Sequence, residues 1–154
     1  MAEPALKLVE SPAPTIRKFD TADLSTHGAW ILPRLMAAFP HFDQRSAATF
    51  LQNVNYNNEY LFLYHDNGVA LAQVMSAHSL DAKPIVHERF VWVQNPEDKD
   101  QVKHAAAFYT EFLKWAKMLS AEVIIVEENT DVPHELVKER LGRIFQRQQQ
   151  YARV

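Results

Sequence analysis

Apolar positions along the chain follow two rhythms, one with the two-residue period of strands and one with the three-to-four-residue period of helices. Residues 15–19, TIRKF, alternate and are rich in strand formers, which predicts a first strand. Next, Leu24, Gly28, Ile31, Leu32, Leu35 and Phe39 fall on one helical face. Pro33 interrupts that face and predicts a kink or a fresh helix start. A second helix is expected over residues 44–54, with Asp43 as its N-cap and Ala47, Phe50, Leu51 and Val54 turned inward. Two β-rich runs then flank Asp66-Asn67-Gly68, which predicts a hairpin closed by a tight primed turn. Residues 84–93 read as another strand, whose alternation puts Val86, Glu88, Phe90 and Trp92 on one face.

The loop that follows has no glycine and carries Glu97, Asp98 and Asp100. Beyond it, Val102, Ala105, Ala106, Tyr109, Phe112, Leu113, Ala116 and Leu119 recur at helical steps and predict one long helix. Val123 to Val126 are four consecutive β-branched residues, as in a parallel strand buried on both faces. A short helix follows, with Pro133 near its start and Gly142 as its stop. Residues 143–154 close the chain as a strand. The expected order is β–α–α–β–β–β–α–β–α–β. It predicts an α/β (α+β) fold: a mixed, mostly antiparallel sheet of six to seven strands with about four helices.

Composition narrows the function. With 154 residues, 47% of them hydrophobic, the chain suffices for one domain with its own core. Residues 1–14 include Pro4, Pro12 and Pro14 and read as an extended arm, leaving residues 15–154 as the domain. A formal charge of −3 supplies no long-range attraction to nucleic acid or to an anionic membrane. The absence of cysteine excludes disulfides, thiol catalysis and cysteine-bound zinc, and fits a cytoplasmic protein. No apolar run approaches the roughly 18 residues of a membrane span. The first residues lack the basic and apolar regions of a secretory signal. The histidines show neither paired i, i+4 spacing nor an HExxH motif, so no metal site is expected. A serine nucleophile has no Gly-x-Ser-x-Gly motif to support it.

Three stretches carry a resemblance: the strand–loop–helix of residues 86–116, the run IIVEENTDVPHELVKERLG, and the ending YARV. In this order and at this spacing the chain resembles the GNAT family of N-acetyltransferases over residues 15–154. The resemblance implies that acetyl-CoA lies between the splayed fourth and fifth strands. Backbone amides of Val91, Trp92 and Val93 would hold the thioester region. The pyrophosphate would rest on amides at the start of the next helix, near Lys103, His104 and Ala105. Asn129 matches the family asparagine beside the pantetheine arm, or it is a turn residue.

The family pattern at that helix is Gln/Arg-x-x-Gly-x-Gly/Ala. The matching residues here are Gln101-Val102-Lys103-His104-Ala105-Ala106, with His104 at the central glycine. Its imidazole obstructs a close approach of phosphate, and the three carboxylates beside it repel one. Lys138 stands where the family has a tyrosine acid, and Arg143 follows the stop glycine where an aromatic is usual. Glu88, mid-strand among apolar residues, is the candidate catalytic base, or else an ion-paired or solvent-facing strand residue.

These residues predict a GNAT-fold protein with a degenerate acetyl-CoA site and no cofactor, acting as a protein-binding or structural component. Its partner would be another protein or further copies of itself. Small GNAT-like proteins without the glycine loop occur in bacteriophage genomes, so the resemblance also implies a virion role and a virion location. The arm and the basic strip of Lys138, Arg140, Arg143, Arg147 and Arg153 are the expected partner surfaces. The alternative is an active acetyl-CoA-dependent N-acetyltransferase of a small-molecule or protein amine, with Glu88 taking the proton. A small-ligand sensor using the same gap is a third reading.

Overall fold

A computed structural model of the chain describes residues 15–75, 84–124 and 129–141. Strand β1 spans Arg17–Lys18, helix α1 Asp23–Ala38 and helix α2 Gln44–Asn53, with a 3-10 turn at Val54–Tyr56. Strands β2 (Tyr60–His65), β3 (Gly68–Met75) and β4 (Ile85–Val93) follow. Helices α3 (Lys99–Ala105) and α4 (Ala107–Met118) then lead to β5 (Glu122–Ile124). Residues 134–141 form a further helix, α5. Among the described residues the sheet has five strands in the order β1-β2-β3-β4-β5, antiparallel except for the β4–β5 pair. The expected arm over 1–14, the stop at Gly142 and the final strand over 143–154 lie outside the described residues.

Both faces of the sheet are covered, so its central strands are apolar on both sides. On one face Phe62, Val69, Leu71 and Phe90 pack with Ile31 and Leu35 of α1. On the other, Leu63, Ala70 and Val91 pack with Phe108, Tyr109 and Phe112 of the α3–α4 layer. Strict alternation along β2 and β3 sends successive side chains to opposite layers, which is why neither strand reads as half-polar.

Four local expectations are corrected. Helix α1 spans Pro33 as one element, so no fresh helix starts there. The proline is exposed, while Ile31 and Leu35 beside it are fully buried and hold the helix to the sheet. The expected long helix is instead two, separated at Ala106. The hairpin is present, with His65 paired to Gly68, but its turn is not primed. Asp66 and Asn67 keep negative φ, because Ser120 is the only non-glycine residue with positive φ among those described. Gly68 is required for a different reason: a Cβ there would lie 2.9 Å from the Trp92 carbonyl oxygen and 3.0 Å from the His65 ring. Gly68→Ala is therefore expected to destabilise the fold by about 1–3 kcal/mol, measured by urea denaturation.

The fourth correction concerns β4. Leu71 pairs with Phe90 and Ala72 with Glu88, so Arg89 is an extra residue and forms a β-bulge. The bulge reverses the alternation. Val86 and Glu88 face the α4 layer, whereas Phe90 and Trp92 face α1, and Val91 and Val93 return to the α4 side. The four residues expected on one face are thus divided between two.

By contrast, Asp43 caps α2 as anticipated. Its carboxylate accepts from the Ser46 amide at 2.7 Å, and the Ser46 hydroxyl accepts from the Asp43 amide. The hydrogen bond from the Ser46 amide, seconded by one from the Ser46 hydroxyl, holds the Asp43 carboxyl below its ordinary range.

Candidate functional site at the ends of β4 and β5

Strand β5 runs parallel to β4 through Ile85–Glu122, Val86–Val123 and His87–Ile124. Further along, Val91 bridges to Thr130, and the Asp131 amide donates to the Val91 carbonyl at 2.9 Å. At this end lies a crevice of about 280 Å³, lined by Arg34, Ala37, Ala38, Trp92, Asn129, Thr130 and Asp131. Ends of strands beside a parallel pair are where open sheets of this kind place ligands.

Asp131 is the hub of the crevice. Its Oδ2 accepts from Arg34 Nη1 at 2.7 Å and from the Val93 amide at 2.9 Å, while its Oδ1 accepts from Arg34 Nη2 at 2.9 Å. Arg34 Nη1 also donates to the Val93 carbonyl, and the guanidinium lies 4.9 Å from the centre of the Trp92 ring. One carboxylate and one guanidinium therefore tie α1, the end of β4 and the 129–131 segment together. The Val93 amide, expected to face a thioester, is occupied by a side chain of the same protein.

Behind the crevice, on the α4 side, Glu88 is buried at 1% exposure. The Tyr109 hydroxyl lies 3.2 Å from Glu88 Oε1 and 2.9 Å from Thr130 Oγ1. Thr130 Oγ1 also accepts the Val132 amide. Glu88 thus belongs to a buried polar network that reaches the crevice through Thr130.

The loop from β4 to α3 is closed in the same manner. Asp98 Oδ1 accepts from the Asp100 amide at 2.9 Å and the Gln101 amide at 3.4 Å, and the Asp98 carbonyl accepts from the Val102 amide. Gln101 Oε1 accepts from the Asn95 amide at 2.7 Å, and Asn95 Oδ1 accepts from the Glu97 amide. Lys103 and His104 stand in the last turn of α3, not at its N-terminus, and Ala105 is fully buried.

Of the residues singled out from sequence, the structure brings Trp92 and Asn129 into the crevice and places Val91 and Val93 along its edge. Glu88 lies behind it. Lys103, His104 and Ala105 belong to the body of a helix. Arg34, Tyr109, Thr130 and Asp131 were not singled out. The i, i+2 relation of Asn129 to Asp131 on the same turn was the one available hint for Asp131.

No protein-family model matches the chain, and no curated protein sequence does either. Solved structures do. Glucosamine-6-phosphate N-acetyltransferase from Arabidopsis thaliana is similar at a TM-score of 0.60 and 12% identity, covering 85% of this chain and 91% of its own. A predicted acetyltransferase with acetyl-CoA from Clostridium acetobutylicum matches at 0.58 and 12%, over 82% and 87% of the two chains. An acetyltransferase from Trypanosoma brucei matches at 0.57 and 14%, over 84% and 91%. The class defined here is one of fold: the chain has a GNAT-like mixed α/β architecture. At these identities the likeness concerns the fold alone. No helix among the described residues is long and apolar enough to cross a membrane.

Proposed function

We propose that the chain is a protein-binding or structural component built on the GNAT fold, with a cofactor turn closed by its own side chains. The carrying observation is the Asp98 carboxylate on the Asp100 and Gln101 amides. A pyrophosphate at this helix start needs free N–H groups and a positive local field. Asp98 takes the N–H groups, and Glu97 and Asp100 stand beside it with negative charge. The turn matching Gln101–Ala106 is also largely helical here, so its later amides serve the helix ladder. The residues present do not fit a diphosphate.

Two further facts support the reading. The Asp131 carboxylate occupies the Val93 amide. Glu88 is buried at 1% exposure, with the Tyr109 hydroxyl 3.2 Å from its Oε1. The partner surfaces we assign are residues 1–14 and the exposed Lys138 and Arg140 of α5. A virion role rests on the resemblance to phage-encoded proteins alone.

The test is residue-resolved. In an amide NMR spectrum, adding millimolar acetyl-CoA should leave the Asn95, Glu97, Asp100 and Gln101 signals unmoved. Saturable shifts at those four amides would overturn the proposal.

A further inference from the structure

We propose that a second pocket, between the α1–α2 turn and the middle of β3 and β4, binds a small aromatic carboxylate with Arg89 as its anion anchor. The pocket encloses about 150 Å³ and is lined by Phe39, His41, Phe42, Phe50, Tyr60 and Arg89, among others. It shares no lining residue with the crevice at Trp92 and Asp131, so it stands or falls independently of the cofactor question.

Its walls are aromatic and mutually braced. Phe42 meets Phe39 and Phe50 edge-on, and Phe50 meets Tyr60 in the same way at 5.5 Å between ring centres. Such edges offer a planar ring both contact area and complementary polarity. The volume suits one ring rather than an extended ligand.

Arg89 decides the charge of the occupant. It is the bulged residue of β4, and the bulge frees it from the strict alternation of the strand. Its guanidinium carbon lies 5.5 Å from the centre of the Phe39 ring. The Arg17–Asp23, Arg34–Asp131 and Lys114–Glu111 ion pairs do not involve Arg89, which has no acidic partner among the described residues. A half-buried guanidinium with no carboxylate partner among the described residues suits a carboxylate, which it can grip through two parallel hydrogen bonds. The same charge repels an ammonium group. Gln73, also on the rim, has its Nε2 directed to Glu59, which leaves its carbonyl oxygen for a hydroxyl substituent on the ring.

The full chain is titrated with benzoate and, separately, with benzamide, a neutral molecule of nearly the same shape. Benzoate should bind saturably, with NMR shifts centred on Phe39, Phe42, Phe50 and Tyr60. Benzamide should bind about tenfold more weakly or less. R89Q should lower benzoate to the benzamide level, and R89K should fall between. The proposal is overturned by equal affinity for the two probes, or by absence of saturation up to about 10 mM benzoate. It is equally overturned if R89Q, folded by circular dichroism, binds benzoate as the wild type does. Should R89Q fail to fold, the wild-type comparison of the two probes together with R89K decides the matter.

Discussion

Asp131→Ala is expected to lower the unfolding free energy by about 3 kcal/mol, near the lower end for breaking a buried charge pair. The carboxylate is 14% exposed and Arg34 is 32% exposed, so solvent screens the pair in part. Arg34 Nη2 and the Val93 amide lose their acceptor together, and Arg34 Nη1 keeps only the Val93 carbonyl. The Val93 amide lies in a buried strand residue and has few alternatives. Asp131→Asn retains acceptor capacity but not charge, and is expected to recover about half of the loss. Chemical denaturation of both variants measures it. Equal stability of Asp131→Ala and the wild type would show that the crevice is not held by this contact.

The second large effect is on pH dependence. His65 is 2% exposed and stacks on Phe108 with ring centres 4.7 Å apart. Its Nδ1 accepts the Asn67 amide, so the neutral ring carries its proton on Nε2, which has no partner among the described residues. Burial is the main cause that pushes its pKa from 6.5 down to about 4, and charge on nearby His104 adds to it. Below pH 6.5 the unfolded chain binds a proton that the folded chain does not. Stability is therefore complete above 6.5, falls as the pH drops toward 4, and levels below that value. The gap corresponds to about 3 kcal/mol.

His87, lowered chiefly by burial, acts in the same direction. Asp23 acts later. Its carboxyl is held below the usual 3.8 by hydrogen bonds from Arg17, and its stabilising contribution is lost only as the pH falls through and below that value. Between pH 6.5 and about 5 the two histidines therefore contribute a slope of falling stability as the pH drops. His65→Phe keeps the stacking and removes the titration, and should flatten most of that slope in denaturation curves taken at each pH. An unchanged slope would contradict the assignment.

What could be read from sequence was local. The Asp43 cap, the hairpin at Asp66-Asn67-Gly68 and the parallel pairing of β5 all depend on neighbouring residues or on composition of a single strand, and all are present. The acidic character of the loop before α3 was visible too, but not that Asp98 in particular takes the amides, since that depends on its backbone geometry at the N-cap. The break at Ala106 left no mark, because alanines continue a helical pattern without complaint.

Tertiary features were the least legible. The bulge at Arg89 arises from pairing with β3, and an unbulged strand would read identically in sequence. Arg34 and Asp131 are 97 positions apart, and nothing in one foretells the other. Pro33 is the opposite case: its local penalty of about 3 kcal/mol suggested a fresh helix start, yet one helix continues through it, with Ile31 and Leu35 buried on either side.

Calorimetric titration of the purified chain with acetyl-CoA tests the closed turn most directly. The account predicts no heat of binding and no change in melting temperature at any micromolar ligand concentration. Micromolar affinity, with the roughly 2.7 kcal/mol of stabilisation that ligand at about 100 times its Kd confers, would contradict it.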